Sequence, residues 1–206
     1  MQAETLASAY RLWRRNWRGP GRQTTAGALV WQVRSILLEV SSNAYSHPVN
    51  LLCKINDCWP VTSWAIVDYF LRPKPAYFSI ARELKPYTVG MTRKEKQTFD
   101  SDETAAYFKI ETVLEVWGTN STLEEKRAKL ELTAFDLHSD WIESWSKDIK
   151  LAPNASSELF RGEAPGLPVR TKRNEVPRTI ILSSRLLGDN DEVLGRYSNW
   201  YGCEFF

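Results

Sequence analysis

The sequence predicts an α+β chain in two parts, with helices and a barrel-type strand first and a β-sandwich after them. Apolar residues recur at helical spacing in several stretches before Pro86. Residues 28–31 form a continuous apolar run, which is typical of a strand covered on both faces in the parallel sheet of a (β/α)8 barrel. After Pro86 the pattern alternates between polar and apolar residues, and several short strands separated by turn signals indicate a sandwich.

Composition and charge indicate a globular protein and exclude several classes. A chain of 206 residues, 43% of them hydrophobic, can bury one good core or two modest ones. The net charge of +2, with acids and bases interspersed, carries no signature of nucleic-acid binding. No apolar run reaches membrane-spanning length, and the arginine-containing N-terminus lacks the apolar region of a signal peptide.

The cysteines point to a reducing compartment. Cys53, Cys58 and Cys203 are odd in number and have no CxxC spacing, so they favour neither a disulfide framework nor a zinc site. We therefore expect a cytoplasmic protein with reduced thiols, without a nucleic-acid or membrane partner.

Residues 4–17 are predicted to form the first helix, which Gly19-Pro20-Gly21 ends. The apolar residues of this helix share one face: Leu6, Tyr10, Trp13 and Trp17. The basic residues lie mostly on the other faces: Arg11, Arg14, Arg15 and Arg18. The pattern indicates a surface helix with a solvated basic side.

The stretch with the most chemistry is residues 56–64, Asn-Asp-Cys-Trp-Pro-Val-Thr-Ser-Trp. It holds two indoles, a carboxamide and a carboxylate, with a proline fixing the backbone between them. Indole faces stack on sugar C–H surfaces, and short carboxylates and amides bind hydroxyl groups, so the stretch favours a saccharide pocket. The alternative is a tryptophan-rich corner that packs between core elements.

Residues 56–69, continuing through 72–78, resemble the end of the catalytic barrel of β-mannosidases in glycoside hydrolase family 2. Residues 27–32, Gly-Ala-Leu-Val-Trp-Gln, are similar to the last barrel strand of the same enzymes, with Trp31 and Gln32 at the end that faces the active site. The resemblance is strongest to the fungal intracellular type B enzymes and covers most of the chain.

This resemblance implies a fold, an activity and a partner. Residues 1–86 would be the C-terminal end of the barrel, and residues 87–206 an immunoglobulin-like sandwich. The parent enzyme would release terminal non-reducing β-D-mannose from oligosaccharides or glycan-derived mannosides with retained configuration, without cofactor or metal. Its two catalytic glutamates lie on earlier barrel strands. We therefore expect this chain to be a fragment that is inactive alone, with the missing N-terminal barrel as its partner.

The resemblance also places the site. Substrate-binding candidates are Trp31, Asn56, Asp57, Trp59 and Trp64. No catalytic residue is assigned, because the family gives neither Asp57 nor Asp68 the role of nucleophile or acid. Asp136, His138 and Asp140 are clustered at a turn without cysteine partners, so no metal site is assigned to them either.

Two stretches depart from the family. Residues 33–54 intervene where the motif should follow Trp31-Gln32 almost at once, and residues 201–206 differ from the family's continuation. The insert begins with Val33, whose codons start with the two bases of a splice donor, which suggests a retained intron translated in frame. An ordinary loop insertion is the alternative. The last sandwich strand is expected to be atypical.

The remaining elements follow from periodicity. Residues 65–67 are a short apolar run that predicts a strand, and residues 76–84 predict a helix with Pro75 in its first turn. Residues 107–117 and 128–136 alternate on either side of a turn at Asn120-Ser121, so they are predicted to pair as antiparallel strands. Further strands are predicted at 87–91, 145–151, 156–160 and 179–187.

Two other function classes remain open at this point. A carbohydrate-binding module without catalysis accounts for the tryptophans and the sandwich. A purely structural fragment from an incorrectly predicted gene accounts for the missing barrel, since a barrel reduced to a strand or two leaves edges unpaired and apolar faces uncovered.

Overall fold

The computed structural model describes residues 2–18, 25, 34–35, 53–54, 57, 59–60, 63–99, 108–167, 169–171 and 179–200. In chain order the elements are α1 (Gln2–Arg15), β1 (Arg34–Ser35), β2 (Cys53–Lys54), α2 (Pro75–Glu83), β3 (Tyr87–Phe99), β4 (Phe108–Asn120), β5 (Lys126–Asp136), β6 (Ile142–Leu151), β7 (Ala155–Glu163), β8 (Ile180–Leu187) and β9 (Val193–Asn199).

Seven of the strands form a two-sheet sandwich. One sheet has the order β3-β4-β7 and the other the order β6-β5-β8-β9, and every pairing in both is antiparallel. The arrangement of three strands against four is that of an immunoglobulin-like sandwich. This part of the predicted fold is confirmed.

The sandwich core is built from alternate residues of facing strands. In β5 every second side chain from Ala128 to Ala134 is buried, as expected for a strand with one face on the core. The buried residues of the core come from both sheets: Val89, Met91, Leu114, Val116, Leu130, Leu132, Ala134, Leu151, Ala164, Ile180, Leu182 and Leu186. Their burial is the main source of the sandwich's stability.

The predicted pairing of residues 107–117 with 128–136 is wrong. Strand β4 pairs with β3 and β7, whereas β5 pairs with β6 and β8, so the two strands lie in opposite sheets. The connection 121–125 crosses from one sheet to the other and does not close a hairpin. Alternation identifies a strand that has one more solvent-exposed face, but it does not identify the strand that pairs with it.

Strand β4 is buried on both faces, unlike an ordinary sandwich strand. Leu114 and Val116 point into the sandwich core, while Glu115 and Trp117 point to the opposite face and are also buried. The helices cover that outer face, since the Arg15 guanidinium lies 4.4 Å from the Trp117 ring centroid. The molecule therefore has three layers, with the helices on one sheet of the sandwich.

The two helices pack against each other through a second apolar cluster. Its buried members are Tyr10, Ile66, Ala76 and Ile80. Helix α2 begins with Pro75 at its first position, as predicted, because proline has no N–H to satisfy there. Both helices lie within two residues of their predicted bounds at each end.

The predicted solvated basic side of α1 is wrong. Arg11 pairs with Glu83 of α2 at 2.7 Å, both side chains are about 5% exposed or less, and the Arg11 guanidinium lies 3.7 Å from the ring centroid of Tyr197 in β9. Arg14 donates to the backbone oxygens of Glu83 and Lys85.

Arg15 anchors the same helix to the sandwich. Its guanidinium donates to Glu115 of β4 at 3.0 Å and twice to Glu158 of β7 at 2.8 Å. The charged face of α1 thus faces acidic and aromatic groups of the neighbouring layer, which periodicity in a single helix does not show.

Several other expectations are settled or fall outside the described residues. The strand predicted at 65–67 is wrong, because only Val67 forms a bridge, with Pro73. The strand at 28–31 and the departure at 201–206 lie outside the described residues. Strand β9, at Val193–Asn199, was not predicted and completes the four-stranded sheet.

The ends of the stretch 33–54 lie side by side. Strands β1 and β2 pair antiparallel, with Arg34 opposite Lys54 and Ser35 opposite Cys53. Because the two ends of the stretch are neighbours, the residues between them can be inserted without separating the parts of the chain before and after it.

Candidate functional site

The tryptophan-bearing stretch is held by backbone pairing on both sides. The Asp57 N–H donates to the Val67 oxygen at 3.0 Å, and the Lys74 N–H donates to the Ile66 oxygen at 2.9 Å. Ile66 is buried in the cluster between the helices. The loop from Asp57 to Val67 is therefore closed at its base and attached to the helix pair.

The Asp57 carboxylate is buried beneath this loop. Its Oδ2 accepts a hydrogen bond from Lys74 Nζ at 2.8 Å, and its Oδ1 accepts one from the Ser63 hydroxyl. The side chain of Asp57 is only 4% exposed. Ser63 Oγ also accepts the N–H of Ala65 at 3.0 Å, so the hydroxyl links the carboxylate to the backbone of the same loop.

These contacts set the charge of Asp57. The hydrogen bond from Lys74 and then that from Ser63 hold the pKa of Asp57 below its ordinary value, against the opposing effect of burial. Asp57 is therefore a carboxylate at neutral pH and is neutralised by Lys74. A general acid needs the opposite shift, so this geometry does not suit Asp57 to proton donation.

Both indoles of the loop are exposed. Trp59 is 63% and Trp64 is 74% exposed, and the Gln2 side-chain amide donates to the Trp64 backbone oxygen at 3.0 Å. The N-terminus of α1 thus contacts the loop backbone and leaves the indole in solvent. Exposed indole faces on a braced loop have the chemistry that stacks on sugar rings.

Asp68, the other acid near the motif, is also paired. Its carboxylate accepts the Arg72 side chain at 2.7 Å and the Arg72 backbone N–H at 2.9 Å. Burial raises the pKa of Asp68, but these hydrogen bonds outweigh it and the net pKa is lowered. The two acids of the motif region are therefore ion-paired with different cations.

Three of the five predicted site residues can be placed. Asp57, Trp59 and Trp64 belong to one loop, with the carboxylate buried and the indoles outside. Trp31 and Asn56 lie outside the described residues. Sequence reasoning missed Lys74 and Ser63, which hold Asp57, although Ser63 stands within the motif and Lys74 just before the helix-starting Pro75.

No metal centre is found in the part of the chain that the structure describes, where no three potential ligands cluster. Asp136 accepts hydrogen bonds from Ser139 and Thr179 at 2.8 Å each, which lower its pKa and brace the turn. Neither described helix has the length and apolarity to cross a membrane.

Comparison with known proteins gives two sequence findings. Residues 112–202 match the family described as "Mannosidase Ig/CBM-like domain". Relatives include β-mannosidase B of Thermothelomyces thermophilus, 39% identical over 203 residues, and β-mannosidase B of Aspergillus flavus, 33% identical over 206 residues. Each alignment covers 97% of this chain but only 21% and 20% of the respective relative.

Solved structures agree on the fold. A β-D-mannosidase from Dictyoglomus thermophilum matches with a TM-score of 0.60 and 22% identity, over 97% of this chain and 18% of that protein. The exo-chitosanase CsxA of Amycolatopsis orientalis matches with a TM-score of 0.53 and 12% identity, over 99% of this chain and 19% of that protein. At these identities the likeness concerns the fold alone.

The sequence matches are more specific than the likeness in fold. The chain spans about a fifth of the length of the curated relatives that it matches. The alignments nevertheless run through both the helix pair and the sandwich. Along nearly its whole length the chain is therefore similar in sequence to the β-mannosidase B enzymes, and its residues 112–202 match the mannosidase Ig/CBM-like domain family.

Proposed function

We propose that this chain is part of a β-mannosidase that releases terminal non-reducing β-D-mannose with retained configuration. The carrying observation is the match to enzymes named β-mannosidase B along 97% of the chain, including the loop with the two exposed indoles. In this proposal the substrates are β-mannoside oligosaccharides or glycan-derived mannosides, and the enzyme works in the cytoplasm without cofactor or metal.

The helix pair and its loop are, in this proposal, the end of the catalytic barrel. Trp59 and Trp64 would line the sugar pocket together with Trp31 and Asn56, and Asp57 would border it. Residues 69–78 present a large apolar surface, on which Phe70, Leu71 and Phe78 are each more than half exposed. Such a surface supports the proposal that another part of the protein packs here. The N-terminal barrel of the parent enzyme would supply that part.

The two catalytic carboxylates are proposed to lie in that N-terminal barrel. A retaining glycosidase needs an acid and a nucleophile about 5–5.5 Å apart across the scissile bond. Asp57 and Asp68 are held by Lys74 and Arg72, so neither is set up for this chemistry. We therefore expect the 206-residue chain alone to leave p-nitrophenyl β-D-mannoside intact.

The decisive experiment restores the rest of the protein. The genomic DNA on both sides of the coding region should be sequenced, and the complete reading frame expressed and assayed with p-nitrophenyl β-D-mannoside. The α-mannoside and the β-glucoside serve as controls. Selective hydrolysis of the β-mannoside supports the proposal. If the complete protein does not hydrolyse the β-mannoside, or if the isolated chain does, the proposal that catalysis lies in the N-terminal barrel is overturned.

The same enzyme tests the indoles. In the complete protein, Trp59→Ala and Trp64→Ala should raise KM for the β-mannoside, because they remove stacking surface. Trp200→Ala is the matched control, since this indole is also exposed but lies at the end of the sandwich. Equal effects of all three substitutions would argue against a sugar pocket at the loop.

A further inference from the structure

A cavity lies at the C-terminal end of α1, the end away from the Trp64 loop. It has a volume of about 350 Å³ and is formed between the C-terminal half of the helix and two turns of the sandwich. Gln2, at the first position of α1, contacts Trp64, whereas Trp13 lines this cavity eleven positions later. At 1.5 Å per residue, the two places are roughly 16 Å apart along the helix axis.

One wall of the cavity is an indole in a fixed orientation. Trp13 is 44% exposed, and Tyr10 holds it edge-to-face with ring centroids 5.7 Å apart. Because Tyr10 is itself buried in the cluster between the helices, its contact restricts the orientation of the Trp13 ring. An exposed indole restrained in this way is a stacking surface for the apolar face of a sugar.

The lining of the cavity also includes polar residues. Asn154 and Ser121 line the cavity, and the Ser121 hydroxyl donates to the Pro86 oxygen at 3.1 Å and accepts a hydrogen bond from Arg14 at 3.4 Å. Tyr10 also lines the cavity, and its hydroxyl is buried without a partner in the described parts of the chain. Buried polar groups of this kind are normally satisfied, often by ordered water or a ligand.

The cavity is braced by hydrogen bonds that join the helix end to the turns. The Ser156 N–H donates to the Trp17 backbone oxygen at 2.6 Å, and the Trp17 indole N–H donates to the Asn154 backbone oxygen. The Asn154 N–H donates to the Thr122 oxygen at 2.7 Å. The walls are thus pre-formed, which lowers the ordering cost of binding.

We propose that this cavity is a second saccharide-binding site, separate from the Trp59 and Trp64 loop, that takes a neutral mono- or disaccharide. A neutral ligand fits better than an anion because Arg14, the cation in the wall, already donates to the carbonyls of Glu83 and Lys85. The lining combines the Trp13 indole with the polar side chain of Asn154 and the unpartnered Tyr10 hydroxyl, the mixture of apolar and polar groups that a sugar ring requires. The proposal does not depend on catalysis by the parent enzyme.

The test uses the whole 206-residue chain with ¹⁵N-labelled tryptophan indoles. Methyl β-D-mannoside, mannobiose and cellobiose are titrated separately, and indole N–H shifts are followed by NMR. We expect at least one sugar to shift the Trp13 resonance with millimolar affinity. Trp13→Ala, followed through the indole resonance of Trp17 in the same cavity, should weaken that binding by roughly tenfold, the loss expected for one aromatic stacking contact.

Two further variants keep the result interpretable. Asn154→Gly removes the amide but tolerates the left-handed backbone there, where φ is 45°, and should also weaken binding. Trp64→Ala should leave binding at Trp13 unchanged. The proposal is overturned if none of the sugars shifts the Trp13 resonance even at sugar concentrations well above the millimolar range. It is also overturned if binding survives Trp13→Ala and is lost with Trp64→Ala. The latter result would still favour the loop as a sugar site.

Discussion

The Nζ atom of Lys74 lies 2.8 Å from Oδ2 of Asp57, and this buried pair closes the loop that carries Trp59 and Trp64. The residue immediately after Lys74 starts α2, so the same short segment fixes both the helix and the loop. A buried carboxylate that loses its cation is left uncompensated, which is more costly than never having had the pair. The ion pair therefore adds to the backbone hydrogen bonds that close the loop at its base.

Replacing Lys74 with methionine should destabilise the chain. Lys74→Met keeps the length of the side chain but leaves the Asp57 carboxylate without its cation, and we expect a loss of about 1–3 kcal/mol in the free energy of unfolding, since the lysine is partly exposed. Urea denaturation measures the loss. Lys74→Arg, which retains the charge, should be milder, and a methionine variant as stable as the original would contradict this role of the pair.

Stability should fall in acid. The pKa of Asp57 is lowered by its hydrogen bonds from Lys74 and Ser63, and that of Glu115 is lowered because bonds from Lys94 and Arg15 outweigh burial. A carboxylate with a lowered pKa stabilises the fold fully above its unfolded pKa of about 4, and loses this contribution as the pH falls through the folded value.

The melting temperature should therefore change little between neutral pH and about pH 5 and drop below about pH 4. Thermal melts of the 206-residue chain across this range measure it. The Asp57→Asn variant should be less stable at neutral pH but show a shallower decline in acid. A wild-type melting temperature that rises on acidification would contradict the assignment.

Arg15 should matter far more than Arg18. Arg15 bonds two glutamates of different strands and lies over Trp117, while Arg18 is half exposed and pairs with Glu158 at 3.3 Å. Arg15→Ala should cost about 1–3 kcal/mol, because it removes the paired hydrogen bonds to Glu158 and one of the cations on buried Glu115, which Lys94 and Arg161 still contact. Arg18→Ala should cost about 0.5 kcal/mol or less. Chemical denaturation followed by near-ultraviolet circular dichroism measures both losses. Equal effects would show that α1 is not anchored through Arg15.

Gly90 should tolerate no side chain. It lies directly opposite Trp117, and a Cβ added to it would be 2.5 Å from the indole and 2.8 Å from Arg11 Cγ. Gly90→Ala should therefore destabilise the chain by about 1–3 kcal/mol through overpacking between sheet and helix. Gln97→Ala, on the exposed end of the same strand, is the control for thermal melts. A neutral Gly90→Ala would mean that α1 can shift without cost.

The exposed indoles should contribute little to folding. Trp59→Ala and Trp64→Ala should each change the free energy of unfolding by about 0.5 kcal/mol or less, as is usual for exposed positions. Ile80→Ala, in the cluster between the helices, should cost about 2–5 kcal/mol. Urea denaturation of the three variants distinguishes a surface suited to binding from a packed corner. A large loss with either tryptophan variant would favour the packed corner.

Local pattern was sufficient for the individual elements. The spacing from Leu6 to Trp17 predicted α1, Pro75 marked the start of α2, and six of the seven sandwich strands were predicted, two of them from alternation. Strand β9 was missed because Gly195 and Arg196 interrupt its apolar pattern where it passes close to Thr88. These are properties of a few consecutive residues, on which secondary structure largely depends.

The partners of those elements were decided only by the tertiary structure. The arginines of α1 have the pattern of a solvated face, and only the sandwich supplies the Glu115, Glu158 and Trp117 that bury Arg15. Likewise β4 and β5 both alternate, but their separation into opposite sheets follows from the packing of two apolar faces. By itself the sequence predicted the helices, most strands, the indole-bearing loop and the resemblance to β-mannosidases, since these depend on local order along the chain. Charge pairing and strand neighbours join residues up to about 143 positions apart, so they exist only in the folded molecule.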